Sequence, residues 1–229
     1  EQGEAGPTDH DEDDHVHPSG SSQHRGGEET VAMIIRPYRP ADHDAVYDIC
    51  VRTADSGGDA RGLYCDDELV SDIYAGPYLA LERGLAFVLD DGERPVGYVL
   101  GAADTVAFAA AFRERWLPLV ADRHPLPVAS PQTAAELMLA SLHDPERMIR
   151  PELAAYPAHL HIDLLPAAQG QGWGRALIRT LLGELASRGV PALHLTYAPQ
   201  NSAAAAFYAR IGFRPVPGLP HSVWVATSG

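Results

Sequence analysis

Gly170, Gly172 and Gly174 stand at alternate positions, interleaved with Gln169, Gln171, Trp173 and Arg175. Glycines so spaced let the backbone turn tightly and bring its N–H groups against a ligand, because no Cβ stands in the way. The run opens directly into a helical pattern, and a helix start gathers unsatisfied amides at the positive end of its dipole. The chemistry on offer is the binding of phosphate oxygens, and a strand, a glycine loop and a helix in succession predict a bound pyrophosphate. A second feature lies just upstream. His159, His161 and Asp163 alternate with Leu160, Ile162 and Leu164, so three ionisable side chains share one face of a strand. A buried central strand normally reads apolar on both faces. Polar groups there need partners or water, and a cleft supplies both.

Two common phosphate loops are excluded. The dinucleotide pattern G-x-G-x-x-G, started at Gly170, requires glycine where Arg175 sits. A P-loop requires a lysine after its last glycine, and the chain has no lysine; all 17 basic residues are arginine. What remains is Q-x-x-G-x-G. The formal charge of −14 is unevenly spread. Residues 1–30 carry nine acids against Arg25 alone, so the rest of the chain is only mildly acidic and is no nucleic-acid surface. No apolar run approaches the ~18 residues of a membrane span, and the N-terminal region has no apolar signal segment. Cys50 and Cys65 fit neither a disulfide framework nor a zinc site by their spacing. Reduced thiols, no metal and a cytoplasmic location are expected. The exclusive use of arginine with abundant Ala, Gly and Pro suggests a bacterial, GC-rich source.

The elements that must position these groups are readable from pattern. Residues 1–31 are rich in Gly, Ser, Asp, Glu and His and hold little to bury, which predicts a tail or linker. His10, His15 and His17 have no spacing that defines a metal geometry. A strand is expected over 32–37, then a helix carrying Val46, Ile49 and Cys50, a loop over 53–62, and a helix with Leu69, Ile73 and Tyr74 followed by Gly76-Pro77. A hairpin turns at Asp90-Asp91-Gly92. Residues 104–157 interrupt the alternation with a helical stripe of Phe108, Phe112, Trp116 and Leu119 and a second helix near 134–142. Strand 159–165, the glycine loop, a helix to Arg188 with Gly189 past its end, strand 192–197, a helix from Asn201 to Arg210 and two closing strands follow.

The Q-x-x-G-x-G run resembles the acetyl-CoA loop of the GNAT superfamily of N-acetyltransferases, and the element order is similar to theirs over roughly 32–226. Asn201-Ser-Ala-Ala-Ala-Ala-Phe207-Tyr208-Ala-Arg210-Ile-Gly212-Phe213 resembles the N-x₃₋₅-A-x-x-F-Y-x-x-x-G-F signature of that superfamily, with looser spacing before Phe207. Asn201 is the only asparagine of the chain. Narrower segments, among them Thr53-Ala-Asp55, Ala75-Gly-Pro77-Tyr78-Leu79 and Phe112-Arg-Glu-Arg-Trp116, look like the acetyltransferase-like domain at the C-terminus of O-GlcNAcase and its free-standing bacterial relatives. The resemblance implies an α/β GNAT fold: one domain over 32–229, with a central mixed, splayed sheet flanked by helices and a helical insert, about 104–157, between the third and fourth strands.

The resemblance also implies roles. Acetyl-CoA is the expected cofactor and an amine, small-molecule or lysine side chain, the expected acceptor. Gln169 to Arg175 would hold the pyrophosphate, with Arg175 adding charge or stacking on the adenine side. The backbone of Leu164 and Leu165 would meet the acetyl carbonyl and pantetheine. Tyr208 would protonate the departing thiolate, and Asn201, roughly 10 Å away along one helix face at ~1.5 Å per residue, would hold pantetheine. Asp163 is the candidate general base, because a desolvated carboxylate rises in pKa; an aspartate that merely fixes a loop is the competing role, and His161 the other candidate base. Asp55, Asp59, Tyr64, Tyr74 and the insert would line the acceptor pocket. Phe207 and Phe213 read as core. A non-catalytic acetyl-CoA-binding or protein-interaction module remains the alternative function. Because residues 1–30 offer no apolar face, their deletion should leave the melting temperature and acetyl-CoA affinity unchanged, as read by thermal shift and calorimetry.

Overall fold

The structure, a computed structural model, is described for residues 32–64, 66–128 and 130–228. Cys65 and the segment with His10, His15 and His17 lie outside the described residues. The fold grows from the hairpin marked at Asp90-Asp91-Gly92. β2 (Ala86–Asp90) and β3 (Pro95–Ala102) pair antiparallel, and the Asp91 carboxylate accepts from the N–H groups of Glu93 and Arg94 at 3.0 and 2.9 Å. β1 (Ile34–Pro37) adds to β2, and β4 (Ala158–Leu164) adds to β3, both antiparallel. Every residue of β3 is buried, as expected of a strand covered on both faces.

The sheet continues with β5 (Ala192–Thr196), which lies parallel to β4 because α7 (Trp173–Ser187) carries the chain across. β7 (Ser222–Ala226) and the short β6 (Arg214–Pro215) complete the order β1-β2-β3-β4-β5-β7-β6. The β4–β5 ladder consists of two pairs only, Ala158 with Leu193 and His159 with His194. Beyond them the two strands part. α7 packs against β2, β3 and β4, and α1 (His43–Val51) packs against β3 and β4. Asn201 caps α8 (Ser202–Arg210), its side-chain oxygen accepting from Ala204 N–H at 2.9 Å. This is the expected α/β fold with a mixed, splayed sheet.

α2 (Glu68–Tyr74) ends before Gly76-Pro77 as expected, and that pair opens α3 (Gly76–Leu81), where proline suits a first turn. Two details depart from the sequence reading. The stripe Phe108, Phe112, Trp116, Leu119 breaks at its last member. Phe108 and Phe112 are buried, but Leu119 is exposed, and Leu117 and Val120 turn inward instead. Between α4 (Thr105–Ala111) and α5 (Leu117–Val120) the segment Phe112–Trp116 forms a π turn, in which Leu117 N–H reaches back to Phe112 O. Pro118 has no N–H to give Glu114, so the widened turn absorbs the missing bond and rotates the following stripe. Phe207, expected in the core, is half-buried, whereas Phe213 is core.

The insert, which also holds α6 (Ala134–His143) behind a Thr133–Glu136 capping box, is tied to α2 through Asp72. Its carboxylate is fully buried. Tyr47 donates to Oδ1 at 2.8 Å, Arg123 donates to Oδ2 at 2.8 Å, and His124 Nε2 lies 2.9 Å from Oδ2. The indole of Trp116 donates to the Asp72 carbonyl at 2.8 Å. Removing a member of a buried charged cluster strands its partners. Asp72→Ala should cost about 3–5 kcal/mol in chemical denaturation, whereas Tyr47→Phe, which deletes one hydrogen bond to the charged group, should cost about 1.5–3 kcal/mol.

Candidate active site

The split between β4 and β5 is the origin of the site. Leu165 N–H donates to Val96 O at 2.9 Å. The alternation of an antiparallel ladder then turns the peptide groups of Ile162 and Leu164 away from β3, toward the opening. The peptide group of Leu164 therefore faces the split, and that of Leu165 does not. Leu165 has its amide donated to β3 and its side chain buried, so Ile162 takes its place beside Leu164. A sequence shows the strand but not the phase of its ladder, which is why that one-residue shift was not legible.

The glycine loop has the backbone its composition requires. Gly170 and Gly172 adopt φ of 74° and 87°, a region that side chains with a Cβ rarely enter. The first helical bond runs from Ala176 N–H to Gly172 O, and among the described residues no acceptor meets the amides of 170–175. Gln169 donates from its side chain to Leu164 O at 2.8 Å, and Gln171 to Ala167 O at 2.7 Å. The two glutamines thus brace the loop with their own amides. Gly174 is constrained differently: a Cβ there would stand 3.2 Å from Phe207 Cζ. Trp173 packs on the core and Arg175 is exposed.

Between β4 and α8, a cleft of about 470 Å³ is lined by His161, Ile162 and Asp163 on one side and by Asn201, Ala204 and Tyr208 on the other. Tyr98 hydroxyl donates to Asp163 Oδ2 at 2.7 Å and lies 3.2 Å from His161 Nδ1. Burial raises the Asp163 carboxyl above its ordinary pKa, against the opposing pull of His161 and of the Tyr98 hydrogen bond. Tyr208 is buried among Tyr197, Phe207 and Phe213, and its hydroxyl has no hydrogen-bond partner among the described residues. Burial, followed by the charge of Asp163, pushes that phenol well above its ordinary value. His161 stacks between Tyr74 and Tyr98, with ring centroids 5.5 and 5.8 Å away.

Tyr98 carries no signal in the sequence: it stands directly opposite Asp163 through the β3–β4 register, across the insert. The polar face of β4 also divides. His161 and Asp163 reach the cleft, but His159 is core, packed by Tyr78 and Phe108 with its Nδ1 2.8 Å from Thr105 Oγ1. Of the acceptor-side residues, Asp55, Tyr64 and Tyr74 line the cleft, and the insert contributes Met138. Asp59 does not. It is exposed on the loop and paired with Arg61 at 2.5 Å, which holds its carboxyl below the usual range. The carboxamide oxygen of Asn201 is occupied in capping α8, leaving its NH₂ for a ligand.

Comparison with known proteins agrees with this geometry. The sequence profile of the acetyltransferase (GNAT) family matches residues 59–213, more than half of the chain. Protein O-GlcNAcase of Rattus norvegicus is 27% identical over 181 residues, covering 78% of this chain and 20% of that protein, and the Mus musculus protein matches equally. The chain spans about a fifth of the length of these curated relatives. The crystal structure of SsHAT superposes with a TM-score of 0.83 at 51% identity, covering 86% of this chain and 100% of that one. PH1933 from Pyrococcus horikoshii OT3 shares the fold with a TM-score of 0.52 at 14% identity, over 84% and 96% of the two chains.

Proposed function

The chain belongs to the acetyltransferase (GNAT) family, and from that premise we propose that it is an acetyl-CoA-dependent N-acetyltransferase in which an amine attacks the thioester directly. The observation that carries this reading is the convergence of Asp163 and Tyr208 on one cleft at the open end of the β4–β5 split. Acetyl-CoA, when bound, supplies an activated acetyl group. The loop fits it: the unpaired amides of 170–175 can each give a phosphate oxygen a charge-assisted hydrogen bond, on the order of 1.5–3 kcal/mol. Ile162 and Leu164 offer N–H groups toward the split, and the NH₂ of Asn201 offers one from α8.

Two side chains handle protons. Asp163, desolvated yet held in place by Tyr98, accepts the proton of the incoming amine. Tyr208 keeps its proton through the neutral range and holds it at its hydroxyl for the leaving sulfur. The cationic amine first gives one proton to solvent. As the C–N bond forms and the C–S bond breaks, the neutral amine's proton passes to Asp163 and the proton of Tyr208 passes to the leaving thiolate, so the transfer balances. Asp55 with Tyr64 and Tyr74 gives the acceptor end acidic and aromatic walls, which suit a cationic amine. No helix among the described residues is long and apolar enough to cross a membrane. A cytoplasmic setting is part of this reading, supported by Cys50 as a buried free thiol.

Acetyl-CoA should raise the melting temperature, as any ligand of the native state does. Gly172→Val, forced into a left-handed φ at a cost of about 1–2 kcal/mol, should stay folded and lose that shift. No shift for the wild-type chain at millimolar acetyl-CoA would overturn the cofactor assignment. Tyr208→Phe and Asp163→Asn should each lower kcat by about 10²-fold or more in a thiol-release assay over an amine panel, with acetyl-CoA affinity nearly constant in calorimetry. Full activity in both variants would refute the proton-transfer roles. Tight acetyl-CoA binding with no turnover on any amine would favour the non-catalytic module.

A further inference from the structure

Cys50 comes from α1 and has no part in the chemistry above, yet it lies beside residues that do. Its Sγ, a ring nitrogen of His161 and a carboxylate oxygen of Asp163 all lie within 4.8 Å of one another. His161 Nδ1 and Asp163 Oδ2 are 3.6 Å apart. All three residues line the cleft, which gives the cluster an entry path and an open side. We propose that Cys50, His161 and Asp163 form a binding site for a divalent cation of the zinc class, and that the ion shuts off acetyl transfer by occupying Asp163; the second half rests on the proposed function, the first does not.

The donor set decides the ion. Thiolate, imidazole and carboxylate together suit zinc, whereas magnesium and calcium take oxygen ligands. With Zn–S near 2.3 Å and Zn–N or Zn–O near 2.0–2.2 Å, neighbouring donors of a tetrahedron stand roughly 3.3–3.8 Å apart. The His161–Asp163 pair already meets that spacing, and the widest separation needs to close by about 1 Å. Charge balance favours binding as well. A thiolate, a carboxylate and a neutral imidazole around a dication sum to zero, which a half-buried cleft accommodates better than a bare charge. The reaction is a proton exchange: the S–H bond of Cys50 breaks, the S–metal bond forms, and the proton leaves to solvent. Tyr98, already bonded to both Asp163 and His161, stands as an outer partner that orients the two ligands. Three protein ligands leave a fourth position for water. The expectation of no metal came from the Cys50–Cys65 spacing; chain topology supplies different partners.

Cadmium reports the site directly, because thiolate coordination gives an ultraviolet charge-transfer band. The full reduced chain, free of chelator, should develop that band to one equivalent of Cd²⁺, with Cys65→Ser identical to wild type. Cys50→Ser should abolish it, and His161→Gln should weaken cadmium binding more than about tenfold, which keeps a test in hand should the serine variant fold poorly. In the acetyl-transfer assay, buffered free Zn²⁺ should inhibit the wild type reversibly on EDTA addition. Cys50→Ser should keep its turnover and resist zinc more than about tenfold better. Absence of the band in wild type, or a band that follows Cys65, would overturn the site. Equal zinc inhibition of wild type and Cys50→Ser would overturn the shut-off. If no amine is ever acetylated, the cadmium band still decides the site alone, so its failure and that of the proposed function are separable.

Discussion

Everything in the site depends on a ladder that stops. β4 and β5 share two residue pairs and then separate, although both strands run on. Unpaired backbone groups are costly inside a protein unless water or a ligand reaches them. A split in mid-sheet is stable only if it lines a cleft, and here it does. The opening exposes peptide groups of Ile162 and Leu164 on one side, while α8 enters on the other with Asn201, Ala204 and Tyr208. The first turn of α7 comes back to the end of β4, where a Cβ on Gly174 would stand 3.8 Å from Leu164 Cδ1, so its unpaired amides lie at the open end of the split.

The two sequence motifs are held together by one packing contact. Gly174, in the first turn of α7, leaves room for the ring of Phe207; a Cβ would meet it at 3.2 Å. Phe207 is flanked by Tyr208, whose hydroxyl faces the cleft. A glycine whose φ is ordinary is thus conformationally free to be another residue and sterically is not. The first turn of α7 and the stretch of α8 that carries Tyr208 thus meet where the ring of Phe207 lies against Gly174.

Much of this was legible in the sequence because the signals are local. Alternation gave the strands, Asp90-Asp91-Gly92 gave the hairpin, Asn201 and Gly212 bracketed α8, and the alternate glycines marked the loop. The failures have two causes: some needed a pairing between strands far apart in sequence, and others a local geometry that composition does not display. The phase of the β3–β4 ladder decides between Leu165 and Ile162. A π turn, forced by Pro118, exchanged Leu119 for Leu117 and Val120 on the buried stripe. Asp59 was set among the acceptor walls by loop composition, but its neighbour Arg61 satisfies it at the surface. Tyr98 carries no motif, and only its register opposite Asp163 gives it a role.

The insert bears on the site through α2. Asp72, fully buried and bonded to Tyr47, Arg123 and His124, fixes one turn of that helix against both α1 and the insert. Tyr74 lies two residues further on, and its ring stacks on His161. The position of His161, and through Tyr98 that of Asp163, is therefore set by packing from three directions: the β3 hairpin, α1, and an α2 anchored by a segment more than 40 residues away in sequence. A carboxylate meant to take a proton must stay desolvated without relaxing toward solvent. Walls on three sides suit the role proposed for Asp163, and the fourth side, where Asp55 and Tyr64 line the cleft, is the direction proposed for an acceptor.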